Sequence, residues 1–339
     1  MQVSIKKHEF IFNTPGGTSR GVLHTKPSYF IRLEHEEKIG IGEVSLIPNL
    51  SIDTDVETKL NYWQEHFRGV EDLQKMQADP AIKFGFETAL KSLASIDPYQ
   101  LFDTPFSQGK EGIYINGLVW MGDIDFMMKQ LKEKLELGFK CLKFKVGAID
   151  FDEELKLLET VRGSYDSDTV EIRLDANGAF TPENALDKLT AFSKYDIHSI
   201  EQPIKPGQFE AMASLAKKSP IPIVLDEELI GVPPQDRREL LSVIKPQYII
   251  LKPSLIGGFE DSTDWITIAE ELGIQWWITS ALEGNIGLNA IAQFCSQFNL
   301  KLPQGLGTGQ VFSNNIQSPL TLQSDKLFFG SQPWGEIKW

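Results

Sequence analysis

Residues 197–228, IHSIEQPIKPGQFEAMASLAKKSPIPIVLDEE, hold one full period of the architecture. An apolar strand (197–202) ends on Glu201-Gln202-Pro203. An amphipathic helix follows at Phe209–Lys217, and a second apolar strand (221–226) ends on Asp226-Glu227-Glu228. Two short apolar runs separated by a helix-period segment read as a strand–helix–strand unit whose parallel strands are buried on both faces. The rhythm extends in both directions, with strands predicted at 113–119, 141–146, 169–175, 247–252, 275–280 and 302–306. Helical spacing marks Asp125–Leu137, Phe151–Val161, Pro182–Lys194 and Thr263–Leu272, with Thr181-Pro182-Glu183 as a start signal. Eight strands alternating with helices predict an α/β fold, a parallel (β/α)8 TIM-type barrel over residues 111–311. An open doubly wound sheet would want a glycine-rich fingerprint after its first strand, and Asn116-Gly117 is not one.

Residues 1–110 follow a different pattern. Strands are predicted at 3–12, 21–34 and 38–44, with Gly16-Gly17 and Glu36-Glu37 in the turns. Helices Val56–Phe67 and Ala81–Ile96 follow, the second started by Asp79-Pro80, so this part reads as an α+β module. Asp97–Lys110 is rich in turn formers and reads as a linker. Residues 312–339 carry Phe328, Phe329, Trp334 and Trp339 without barrel rhythm and are expected to pack back on the first module.

With 339 residues, 41% hydrophobic and 24% charged, the chain can form a large core without staples. A net charge of −14, with basic residues clustered no further than Lys6-Lys7, Lys217-Lys218 and Arg237-Arg238, argues against nucleic acid as a partner. Cys141 and Cys295 lie in apolar runs and read as small buried hydrophobes in a reducing, cytoplasmic compartment. Met1–Phe12 lacks a signal-peptide core, and no run approaches the ~18 apolar residues of a membrane helix.

In such a barrel the reactive groups stand at the C-terminal ends of the strands. Those ends read Lys143-Phe144-Lys145, Asp175-Ala176-Asn177-Gly178, Glu201-Gln202-Pro203, Asp226-Glu227-Glu228 and Lys252-Pro253-Ser254. Asp175 to Glu201 is 26 residues, Glu201 to Asp226 is 25, and Asp226 to Lys252 is 26, each about one barrel unit. The charges are therefore expected at one height on consecutive strands. Alone, Asp-Ala-Asn-Gly is a turn and Lys-Phe-Lys a solvated strand face. Five such motifs on five successive buried strands form a site.

Three carboxylates converging within ~10 Å repel unless a cation lies between them. An all-oxygen ligand set favours Mg²⁺ or Mn²⁺ over zinc. Lys143 and Lys145 share one face, and their proximity is expected to lower an ammonium pKa toward that of a general base. Lys252, four strands away in a ring of eight, should face them across the cup. Mg²⁺ with a lysine on each flank suits removal of a proton next to a carboxylate, the cation stabilising the enediolate. Gly305–Gly309 (GLGTG) either cradles an anion after strand eight or is a plain loop. None of the five histidines falls at a strand's C-terminal end.

The set Lys-x-Lys, Asp-x-Asn-Gly, Glu-Gln-Pro, Asp-Glu and Lys-Pro resembles the enolase superfamily, in its muconate-lactonizing subgroup, over nearly the whole chain. Gly40-Ile41-Gly42-Glu43 and the helix around Phe84–Leu93 resemble that family's capping domain. The resemblance implies an enolase-like modified barrel, with the capping domain completed by the C-terminal segment. It implies Asp175, Glu201 and Asp226 as metal ligands and Lys145 and Lys252 as the acid/base pair. It places Lys143, Arg173, Asn177, Glu227 and Ser280 in support or at the substrate, with residues 13–28 supplying a cap loop that selects a small carboxylate. Strand seven lacks the histidine of mandelate-racemase-like members, and residues 302–312 lack the Asp-x-Asp of dipeptide epimerases. The tract Arg173–Phe180 and the stretch Ser280–Gly284 are most similar to the o-succinylbenzoate synthase branch. That branch implies loss of water with aromatisation of a ring, in menaquinone biosynthesis. Racemisation of an N-succinylamino acid, or cycloisomerisation, would use the same residues.

Overall fold

The computed structural model describes residues 1–18, 21–120 and 122–339, with the backbone alone for 15–18. An antiparallel sheet opens the chain: β1 (Gln2–Thr18), β2 (Gly21–His35) and β3 (Lys38–Ser45). Glu36 adopts a left-handed φ of 55° in the predicted second turn. Gly16-Gly17 do not form the first turn; they face Leu23 and Val22 in the ladder, beyond a register irregularity after Ile11. A bulge of this kind lets a hairpin run on past its glycines. Most of the expected 13–28 loop is therefore strand, and Ser19 and Arg20 lie outside the described residues.

Helices Val56–His66 and Pro80–Ala94 cover one face of this sheet, burying Leu60, Trp63 and Phe86 with Ile31, Leu33 and Val44. Pro80 occupies the first turn of its helix, where its missing N–H costs nothing. The sheet and this helix meet backbone to backbone. A Cβ on Gly42 would lie 2.0 Å from the Gly85 carbonyl oxygen, and one on Gly40 2.1 Å from that of Ala89. That close approach is the physical reason for glycine in Gly40-Ile41-Gly42.

The barrel strands are β4 (Ile113–Tyr114), β5 (Gly117–Val119), β6 (Cys141–Lys145), β7 (Glu171–Asp175), β8 (Ile197–Glu201), β9 (Ile223–Leu225), β10 (Tyr248–Leu251) and β11 (Gln275–Ile278). β5 to β11 form one parallel sheet in chain order. The expected eighth strand is reduced to Gln304 and Gly305. Gln304 N donates to Tyr114 O at 2.8 Å and Asn116 N donates to Gln304 O at 2.9 Å. Gly305 N donates to Ile278 O and Ser280 N to Gly305 O, both at 2.9 Å. These four bonds join the two ends of the sheet and close the ring. Gly305 is needed there, because a Cβ would strike the Thr279 side chain.

The predicted helices are present, displaced by a few residues at their ends. Asn184 accepts from Thr181 N at 3.0 Å in a turn that delays its helix to Ala185–Phe192. Helices Pro234–Ile244 and Asn285–Cys295 complete the outer layer. The linker is packed: Leu101 and Phe106 enter the barrel core, and Gln293 accepts from Leu101 N at 2.8 Å. Residues 312–339 touch both modules. β12 (Leu320–Gln323) and β13 (Lys326–Phe329) pair with β4, while Phe312 stacks on Phe10 and Ile337 is buried in the cluster that holds Phe30.

Gly42→Ala should push the helix Pro80–Ala94 off the sheet. We expect a stability loss of about 1–3 kcal/mol, the usual cost of overpacking, read as a lower urea midpoint. An unchanged midpoint would contradict the close packing.

Candidate active site

The parallel ladder sets the height of each tip. Lys145 pairs with Asp175, and Asp175 pairs with Glu201. The next step is staggered. Glu201 pairs with Val224, so Asp226 stands two residues further along, and Lys252 lies four beyond Tyr248, the partner of Val224. The pairing is thus even from β6 to β8 and staggered by two residues at each of the next two steps. Closing a barrel tilts the strands and demands this shear, and an even step keeps every charge on the interior face.

Asp175 is fully buried and accepts from Lys145 Nζ at 2.6 Å and Lys143 Nζ at 2.8 Å through Oδ2. Lys143 also pairs with Glu201, and Lys252 pairs with Asp226. Lys145 Nζ further donates to Asn177 Oδ1 at 2.6 Å, and Asn177 Nδ2 donates to Glu227 Oε1 at 2.8 Å. The side chains of Lys145 and Lys252 are 15% and 12% exposed, against 0%, 2% and 1% for Asp175, Glu201 and Asp226. The carboxylates therefore form the floor, and the two lysines face the cup.

Burial raises the Asp175 pKa, but Lys143 and Lys145 overcome it and hold the carboxyl well below its usual range. Burial, then the Asp175 charge, pushes Glu201 well above its usual value despite Lys143. Glu227 is raised by burial and by Asp226. The expected lowering of an ammonium pKa is not found at Lys143. Burial lowers it, yet Asp175, Glu201 and Asp226 outweigh that and raise it. Lys252 is raised by the same balance, through Asp226, Glu201 and Glu227.

As they stand, Asp175 and Glu201 meet over Lys143 while Asp226 faces Lys252. Among the described residues no three acidic, imidazole or thiol side chains form a ready cage. The donor chemistry nevertheless fits a hard cation. Glu201 Oε1 and Glu227 Oε2 are buried without a hydrogen-bond partner, and all the donors are carboxylate oxygens.

Arg173 is not in this group. Two residues below Asp175, it donates to Glu171 Oε1 at 2.8 Å and Pro303 O at 2.9 Å and stacks 4.3 Å over Trp277, filling the barrel beneath the site. Ser280 lies on the loop after β11, where its hydroxyl donates to Glu283 Oε2 at 2.5 Å and meets Thr308.

The motif residues Gln202 and Asn177 also shape the mouth. Gln202, at φ 41°, donates to Glu228 at 3.0 Å and accepts from Asp226 N at 3.2 Å, tying the tips of β8 and β9 together. Asn177, at φ 43°, turns the chain just after Asp175. Left-handed backbone at Gln202, next to reactive groups, is stored strain, whereas Asn tolerates it and the Asp-Ala-Asn-Gly turn signals it. A cavity of about 880 Å³ borders Glu227, walled by Phe209, Ile230 and Val232 and by Asn49, Leu50 and Ile52 of the first module.

Arg173→Met should lower stability by about 1–3 kcal/mol, by leaving buried partners unpaired, while kcat and KM stay within about threefold. A selective collapse of kcat in a stably folded variant would return Arg173 to the site.

Residues 127–317 match the model of the "Enolase C-terminal domain-like" family. The o-succinylbenzoate synthase of Desulfotalea psychrophila is 43% identical over 96% of this chain and 98% of its own. The crystal structure of MenC from the same organism superposes with a TM-score of 0.87 at 40% identity, covering 97% of this chain and 99% of that one. The o-succinylbenzoate synthase structure from Thermosynechococcus elongatus, complexed with Mg in the active site, is 23% identical with a TM-score of 0.75, covers 90% and 92% of the two chains, and shares the fold. This chain belongs to the enolase superfamily, in the muconate-lactonizing subgroup and alongside its o-succinylbenzoate synthases.

Proposed function

We propose that this chain is a Mg²⁺-dependent carbon–oxygen lyase. It takes a proton from the carbon next to a carboxylate and expels water to form o-succinylbenzoate, as a cytoplasmic step of menaquinone biosynthesis. The observation that carries the reading is a pair of part-exposed lysines, Lys145 and Lys252, each paired with a buried carboxylate and carried by strand ends four apart in the sheet. The 43% identity to an o-succinylbenzoate synthase over nearly the full length supports the choice of reaction.

In this reading Asp175, Glu201 and Asp226 hold Mg²⁺, with Glu227 beside them. The ion supplies Lewis-acid stabilisation to negative charge developing on the substrate carboxylate. Lys145, held by Asp175 and Asn177, is aimed at the acidic C–H and takes its proton through Nζ. Lys252, kept cationic by Asp226, stands over the opposite face of the ring, where its charge favours the forming π system. Asn177 ties Lys145 to Glu227 and fixes the direction of the base. Lys143 stays protonated between Asp175 and Glu201 and lowers the repulsion between them. Arg173, below the floor, takes no part.

Lys145→Ala and Lys252→Ala should each lower kcat by roughly 10²–10⁴ while fold and Mg²⁺ affinity persist. The assay is growth of aromatic absorbance from the cyclohexadiene precursor. Full turnover in either variant removes that lysine from the chemistry. A chelator should stop the reaction and added Mg²⁺ restore it; turnover in excess chelator would sink the metal assignment. Solvent deuterium entering an unchanged substrate, with no aromatic product, would turn the reading to racemisation.

A further inference from the structure

Lys26 stands on β2 and is fully buried. Its Nζ donates to Ser45 Oγ at 2.5 Å and to Ser28 Oγ at 3.2 Å, and Ser28 Oγ donates to Glu43 Oε1 at 3.2 Å. Glu43, equally buried, crosses to the barrel. It accepts from Gly284 N at 2.8 Å and Gly287 N at 2.9 Å, the first free N–H groups of the helix Asn285–Cys295. That helix has no side-chain cap at Gly284, so a carboxylate from the other module does the capping.

Glu283 is the second buried carboxylate here. It accepts from Ser280 Oγ at 2.5 Å, from Ala281 N at 2.8 Å, and from Ser254 Oγ. Ser254 is two residues past Lys252, inside the short helix Pro253–Ile256 whose first turn hangs on the Lys252 carbonyl. The two groups of contacts meet at the adjoining backbone of Glu283 and Gly284, which links the first module to the loop of Ser280 and on to the tip that carries Lys252. Both Glu43 and Glu283 attract the Lys26 ammonium, offsetting the burial that pulls its pKa down to about 8. Stripped of that ammonium, two carboxylates would lie buried without compensation, a costly arrangement that repacks or takes up protons.

We propose that Lys26 is a positioning residue for the reaction: held by Ser28 and Ser45 behind the Glu43 that caps Gly284 and Gly287, it fixes the loop 280–287 and, through Ser254, the strand tip of Lys252. The inference rests on the chemical role given to Lys252 above. Lys26 touches neither substrate nor the carboxylate floor, and its effect must pass through the loop.

The test compares the full-length parent, Lys26→Met and Lys26→Met/Glu43→Gln by amide hydrogen exchange over residues 280–290, by thermal melting, and by kinetics on the cyclohexadiene precursor. In Lys26→Met the Gly284 and Gly287 amides should exchange at least about tenfold faster. kcat should fall by about 10- to 100-fold with KM within about threefold, as for a misplaced group that acts in the transition state. The double variant, which removes a charge of each sign, should recover protection and most of kcat. Parental exchange in a folded Lys26→Met, or a loss that the double variant does not restore, overturns the proposal and leaves a packing role. If Lys26→Met fails to fold, Lys26→Gln decides, since it keeps a donor for Ser28 and Ser45 and drops the charge: faster exchange at the same two amides is expected, and parental exchange overturns it. Exchange needs no turnover, so a parent protein inert on the precursor would count against the function and not against the network.

Discussion

Carboxylates held in a dry cup repel one another, and most of this architecture serves to keep them there. Asp175, Glu201 and Asp226 are each at most 2% exposed as side chains, at a depth where water screens little. Charges so buried persist only with partners in good geometry. The barrel supplies these partners from the same strand ends: Lys143 and Lys145 from β6 and Lys252 from β10. A closed ring of short apolar strands is suited to this task, because it presents alternate side chains inward at a fixed tilt and leaves the tips little freedom to relax apart.

Much of this was legible in the residues. Ile221–Leu225 and Tyr248–Leu251 are apolar runs of the kind a parallel, doubly covered strand carries, and an acid or a lysine follows each. The interval of 25 or 26 residues then placed those charges on successive strands. The interval could not give the height, because shear is a property of the closed ring and not of any one strand. Hence the two-residue offsets of Asp226 and Lys252 in the ladder could not be read from the interval. Arg173 misled for a related reason. Alternation puts it on the same interior face as Asp175, but one layer down its partners are Glu171, Pro303 and Trp277. The sign of the Lys143 shift was missed because sequence proximity showed the neighbouring ammonium and hid the three acids that β7, β8 and β9 bring to it.

The polar layer around the site was less legible, since its members are far apart in the chain. Gln202 acts on Asp226 and Glu228 through its amide, and Glu43 acts on Gly284 and Gly287 from 241 and 244 residues away. Both lie in quoted motifs, Glu201-Gln202-Pro203 and Gly40-Ile41-Gly42-Glu43, but the motifs do not name their distant partners. What could have flagged them is the oddity of an acid at the end of a strand that otherwise buries Gly40, Ile41 and Gly42 against a helix.

The charge balance of the floor explains why these lysines need company. Asp175, Glu201, Asp226 and Glu227 can carry four negative charges, against three ammonium groups on Lys143, Lys145 and Lys252. A lysine can serve as a base only once it has lost its proton, which leaves the floor a further positive charge short. The raised pKa of Glu201 is the same shortage seen from the acid side: burial and the Asp175 charge make a second full negative charge expensive. In the proposed reaction a divalent cation held by these carboxylates would answer both demands, because it would balance two charges at once and compete with Lys145 for Asp175. In the proposed reaction the ion and the base would act as one device, the cation supplying two positive charges that no lysine can supply while it accepts a proton.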